Sequence, residues 1–192
     1  MRGVRFRRAT TSVPLPGLFH SMSVSSLAAV LPVDGRQSST ALAVARGTTR
    51  LLHSLGFSVV SELPLASGRR ADLVALGADG ELWIVEIKSS IADLRADLKW
   101  FDYRLPCDRL FFATTLDVPR EIFPPDAGLI VADAFGAAMV CEAPEHRLHA
   151  ATRRSMMLAF ARAAALRLAA LGDPEGSELL SLGRVPEVAR YR

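Results

Sequence analysis

Between Ser39 and Leu55 the apolar residues Leu42, Val44, Ala45, Leu51, Leu52 and Leu55 recur at steps that place them along one side of a helix. Ser39 or Thr40 is suited to cap its start, and Gly56 to end it. The periodicity then changes. Residues 57–65, 70–76 and 81–88 are short apolar segments punctuated by Gly68 and by Gly77-Ala78-Asp79-Gly80, which predicts three strands. A second helix is predicted over 90–103, with Leu94, Leu98 and Phe101 on one side and Pro106 beyond its end. Strands follow at 110–114, 129–132 and 137–141, and an Ala-rich helix over 146–171 stops at Gly172-Asp173-Pro174.

This order predicts an α/β (α+β) domain, a central mixed β-sheet flanked by helices with a long C-terminal helix. Residues 38–172 form that single domain. Residues 1–37 mix Arg, Ser, Pro and Gly without sustained period and are expected to be a flexible basic extension. Residues 173–192 are expected to be a C-terminal tail. Pro14 and Pro16 interrupt any apolar segment near the start, which argues against a secretory signal, and Met22 is an alternative first residue.

A length of 192 residues suits one core, and 50% hydrophobic with 22% charged residues excludes disorder for most of the chain. No apolar run approaches the roughly 18 residues needed to span a bilayer, so a cytoplasmic protein without a membrane partner is expected. The formal charge of +3 is uninformative, because Arg2, Arg5, Arg7 and Arg8 supply +4 near the start and the rest sums to −1. Cys107 and Cys141 are too few for a disulfide framework or a four-thiolate zinc site. Lysine usage says more. Of 23 basic residues only Lys88 and Lys99 are lysines, which singles out two places where a compact ammonium is used instead of a planar guanidinium.

Chemistry concentrates on the second and third strands. A three-residue loop, Ala78-Asp79-Gly80, with Gly80 in the left-handed conformation makes Gly77 face Glu81. Asp72 then lies opposite Glu86, and Arg70 opposite Lys88; alternation sends Asp72, Glu86 and Lys88 to the same side. Facing carboxylates repel unless one is protonated, a cation is near, or a hard metal ion binds between them. Oxygen ligands of this kind select Mg²⁺ or Mn²⁺, a combination suited to phosphodiester hydrolysis.

Asp72 followed by Glu86-Ile87-Lys88 at the end of an apolar strand resembles the PD-(D/E)xK nuclease superfamily, with its restriction-endonuclease-like core. The resemblance implies that Asp72 and Glu86 bind the metal, that Ile87 contributes its carbonyl, and that Lys88 assists the nucleophile. Lys99 and Tyr103, four apart, resemble the QxxxY element of the RecB-like branch with Lys in place of Gln, which implies contact with substrate phosphate. Two departures stand out: Ala71 replaces the usual Pro, and the first helix contains no acid, leaving Glu62 as the nearest substitute.

Gly68-Arg69-Arg70-Ala71-Asp72, Ile84-Val85-Glu86-Ile87-Lys88-Ser89-Ser90, Asp97-Leu98-Lys99-Trp100, Cys107-Asp108-Arg109 and Gly128-Leu129-Ile130-Val131-Ala132-Asp133 are similar to the MmcB family of bacterial DNA repair proteins, over about residues 39 to 170. That resemblance implies a repair protein acting on DNA, alone or with other repair proteins. Two readings remain open, a metal-dependent nuclease and a catalytically silent module that binds DNA or a partner. The plainer alternatives are a solvated charged face at Glu86 and Lys88, Arg69 and Arg70 neutralising carboxylates instead of clamping phosphate, and Trp83 and Trp100 as core residues. His146 and His149 fall one turn apart on the predicted last helix, but no Cys, Asp or Glu completes a ligand set with them. No Walker-type, dinucleotide-binding or nucleophile-elbow motif occurs.

Overall fold

The computed structural model describes residues 38–96 and 100–173. Helix α1 (Ser39–Ser54) starts one residue later than its cap, Ser38, whose hydroxyl accepts from the Ala41 N–H at 3.1 Å. It ends before Gly56, at a φ of +86°. Strands β1 (Ser58–Pro64), β2 (Arg70–Leu76) and β3 (Leu82–Ile87) form an antiparallel meander; β4 (Arg109–Thr114) and β5 (Gly128–Ala132) then add parallel to β3, and β6 (Ala137–Cys141) closes antiparallel on β5. The result is one six-stranded mixed sheet in chain order, an α+β fold.

The predicted hairpin register holds. Leu73 faces Val85 and Leu76 faces Leu82, with Gly80 left-handed at φ +86° and the Gly77 N–H donating to the Glu81 carbonyl at 2.9 Å. Successive strand residues serve opposite layers, so the fully buried Phe111 and Phe112 of β4 point to different cores. Phe111 joins Val44, Leu52, Leu73, Trp83 and Val85 beneath α1. Phe112 joins Ile84, Leu110, Tyr103, Met156 and Phe160 on the other face. Each such side chain contributes about 1.5–3 kcal/mol on burial.

Two helices depart from the sequence reading. The helix expected over 90–103 is found as α2 (Ile91–Ala96) and α3 (Phe101–Arg104). Trp100, in a turn before α3, stacks on Phe101 at 3.9 Å and meets the edge of Phe112 at 6.0 Å, and Phe101 is 59% exposed instead of in the core. The last helix, α4 (Ala150–Gly172), begins four residues later than predicted. Residues 146–149 are instead a strap, because the His146 N–H donates to the Asp108 carbonyl at 2.7 Å and the Leu148 N–H to Asp108 Oδ1 at 3.0 Å. His146 and His149 therefore do not share a helical turn.

By length and composition α4 is also long and apolar enough to cross a membrane, although arginines interrupt its apolar run. Here it lies on the sheet through Met156 and Phe160. Trp83 fulfils its core reading, packed between Phe57 at 4.3 Å and Phe111 at 4.7 Å. Cys107 is buried and Cys141 exposed, both as free thiols. The expected basic extension, residues 1–37, and nearly all of the expected tail lie outside the described residues.

Candidate active site

The backbone ladder between β2 and β3 ends at Leu73 and Val85. Beyond that pair the expected face-to-face pairing of Asp72 with Glu86 is replaced by side chains bonding to backbone. The Ile87 N–H donates to Asp72 Oδ2 at 2.7 Å, and the Asp72 N–H donates to Glu86 Oε1 at 3.3 Å. Two carboxylates thus stand where two carbonyls would have continued the sheet. Glu86 is 2% exposed and Lys88 8% exposed.

The distortion coincides with one on the neighbouring β1. Glu62 has φ +50°, a left-handed backbone uncommon for a residue with a side chain. Val60 and Leu63, three apart, consequently belong to one core cluster, as do their partners Val74 and Ala71. Alternation slips by one residue in both strands, and Asp72 sits at the slip. The buried Glu62 carboxylate forms an ion pair with Arg70, and Arg167 of α4 reaches Ser61 Oγ and the Glu62 carbonyl, each at 3.4 Å.

Lys88 is fixed through its backbone. Its N–H donates to the Ala113 carbonyl at 2.9 Å, and its own carbonyl accepts from the Thr114 hydroxyl at 2.7 Å. Both partners come from the parallel neighbour β4, so β3 is opened toward β2 and locked toward β4 at the same level. Ser89 and Ser90 then turn the chain into α2, where the Ser90 hydroxyl accepts from the Asp93 N–H at 3.1 Å.

Burial is the leading cause that raises the Asp72 pKa above the ordinary carboxyl value; the Ile87 N–H opposes it, Glu62 adds to it, and Lys88 and Arg70 oppose it. Asp72, Glu62, Lys88 and Arg70 are therefore one electrostatic group. Because the folded state holds this proton more tightly than the unfolded chain, Asp72's contribution to stability is complete below the ordinary carboxyl pKa and is lost as pH rises through the raised one. Asp72→Asn keeps an acceptor for the Ile87 N–H while removing the half-buried charge. It is expected to melt above the native protein at neutral pH, with the gap closing in acid; thermal melts across that range check this.

Arg69 donates from Nε to Asp102 at 2.7 Å and lies 5.3 Å over the Tyr103 ring, and the Asp102 bond is the chief cause that raises its pKa. Tyr103 is buried in the core beneath α4. Lys99 lies outside the described residues. Among the described residues no group of three or more His, Cys, Asp or Glu side chains is arranged to hold a metal ion. Thr114 and Arg167 had no signal in the sequence, since each reaches the site from a distant element.

The family model described as DNA repair protein MmcB-like matches residues 29–175. A solved structure of a protein of unknown function from Silicibacter pomeroyi is similar at a TM-score of 0.70 and 44% identity, covering 73% of this chain and 96% of that one. Comparison with curated proteins finds no match.

Proposed function

The chain belongs to the MmcB-like family of DNA repair proteins, and from that premise we propose that it is a cytoplasmic, metal-dependent deoxyribonuclease with a PD-(D/E)xK active site, cutting damaged or structured DNA. The observation that carries this reading is the break in the β2–β3 ladder, where the half-buried Asp72 carboxylate meets the buried Glu86 and Lys88. The donor set fits a hard divalent cation. Burial and the neighbouring Glu62 both disfavour a charged Asp72, a cost that a cation would relieve. Asp72, Glu86 and the Ile87 carbonyl would hold Mg²⁺ or Mn²⁺, with Glu62 beside them.

When bound, the ion would polarise the scissile phosphate and lower the pKa of a water. The chain's own groups do the rest. Lys88 offers three N–H donors on a backbone pinned by Ala113 and Thr114, so its ammonium can orient a water and offset negative charge at phosphorus. Arg70 compensates Glu62. Arg69, held over the ring of the buried Tyr103, and Lys99, which follows α2 in the chain, are assigned to phosphate contacts, with Tyr103 positioning Arg69. With a body near charge neutrality, affinity for DNA is expected to be weak and salt-sensitive unless a lesion structure or a repair partner adds contacts.

A second reading, a silent module that recognises DNA or a partner through the same patch, is favoured by the lack of a three-side-chain metal cage among the described residues. A panel of duplex, flap, crosslinked and single-stranded DNA, incubated with Mg²⁺ or Mn²⁺, separates the two. The nuclease reading expects metal-stimulated cleavage that falls at least ~100-fold in Glu86→Gln and in Lys88→Met, together with a Mg²⁺-induced rise in melting temperature that Asp72→Asn lacks. Cleavage that persists in both variants removes these roles. DNA binding without turnover, indifferent to metal, selects the silent module.

A further inference from the structure

Helix α4 buries Met156 and Phe160 against the sheet and turns an apolar stripe outward. The stripe consists of Leu158, 54% exposed, Leu168, 68% exposed, and the exposed Ala161 and Ala165 between them. The steps from Leu158 to Leu168 are three, four and three residues, the spacing of a seam that packs against another helix. The order is also the same read in either direction: large, small, small, large. One step of four beyond each end stand Arg154 and Gly172.

We infer that this face binds a second copy of the chain, with the two α4 helices antiparallel about a two-fold axis at the level of Ala163. A palindromic stripe is self-complementary under that symmetry, as a two-fold interface requires. Leu158 meets Leu168 of the partner subunit and Ala161 meets Ala165 of the partner subunit, and the small pairs let the helices approach closely. Charge agrees with this direction. Within α4 itself there is no acidic residue in the first turn and no basic residue in the last. Antiparallel pairing brings each Arg154 to the other helix's C-terminal carbonyls, the negative end of the helix dipole, twice per dimer. A parallel pair would leave both negative ends together. One helix face per subunit lies at the small end of stable interfaces, so association is concentration-dependent. The inference is independent of the nuclease reading.

Sedimentation of the full chain over a dilution series tests it. The mass is expected to move from one subunit toward two as concentration rises, and Ala161→Glu, at an exposed position, is expected to hold the protein at one subunit without lowering its melting temperature. Direction is read separately by crosslinking in a Cys141→Ser background, since Cys141 is exposed. Ala161→Cys mixed with Ala165→Cys is expected to form disulfides faster than either variant alone. A one-subunit mass at every concentration overturns the proposal, as does a dimer indifferent to Ala161→Glu or faster crosslinking of like with like. Flotation of one-subunit protein with lipid vesicles would assign the stripe to a membrane surface and also overturn it.

Discussion

Asp108→Ala is expected to lower stability by about 3–5 kcal/mol, the cost of breaking a buried ion pair from one side. Asp108 is 3% exposed. Its carboxylate accepts from the Leu82 N–H at 2.8 Å, the Leu148 N–H at 3.0 Å, and both terminal nitrogens of Arg153 at 2.8 and 2.7 Å. Its backbone N–H donates to the Leu82 carbonyl at 2.7 Å. One side chain therefore joins the starts of β3 and β4, the strap over 146–149 and the first turn of α4. Removal leaves a partly buried guanidinium and two amides without their acceptor. Denaturant titration gives the loss, and Asp108→Asn should recover only part of it.

The same carboxylate makes the fold acid-sensitive. Burial pushes the Asp108 pKa up, but the Arg153 bond and the Leu148 and Leu82 N–H groups outweigh it, and the value falls below the ordinary carboxyl range. A depressed folded pKa means stability that is present above the ordinary value and is lost as pH falls through the depressed one. Stability measured against pH should therefore fall less steeply in acid for Asp108→Ala than for the native protein.

Gly47→Ala is expected to destabilise by about 2 kcal/mol or more, although alanine in a helix interior ordinarily gains about 1 kcal/mol over glycine. A Cβ at position 47 would lie 2.2 Å from the Asp133 carbonyl oxygen and 2.4 Å from that of Gly136. Both belong to the tight turn between β5 and β6, which cannot retreat easily. The Asp133 carboxylate holds it through the Phe135 and Gly136 N–H groups at 2.7 and 2.8 Å, and Arg50 of α1 grips the Ala134 and Phe135 carbonyls at 3.1 and 2.9 Å. Either α1 lifts from the sheet or the turn breaks its bonds. A melting temperature at or above the native one would show that the turn relaxes without cost.

The hairpin register was legible because a loop of fixed length and a glycine at one special φ determine every facing pair that follows. That arithmetic failed where local chemistry changed the ladder. Nothing in the alternation of β1 announces a left-handed Glu62, whose neighbours Asp72, Arg70 and Arg167 come from other elements. The start of α4 was misplaced for a related reason. Residues 146–149 fit a helical pattern, yet they bond to Asp108, about forty positions earlier. Strong local periodicity survived into the structure; bonds between distant segments set the ends of elements and the kink at the site.

The carboxylates at the end of the β2–β3 ladder also limit how the patch can be silenced cleanly. Alanine at position 72 or 86 would strip an amide of its acceptor and fray the ribbon, so a lost activity there would confound chemistry with unzipping. Amides of matching shape leave the seam stitched, and only they can report on the charge itself.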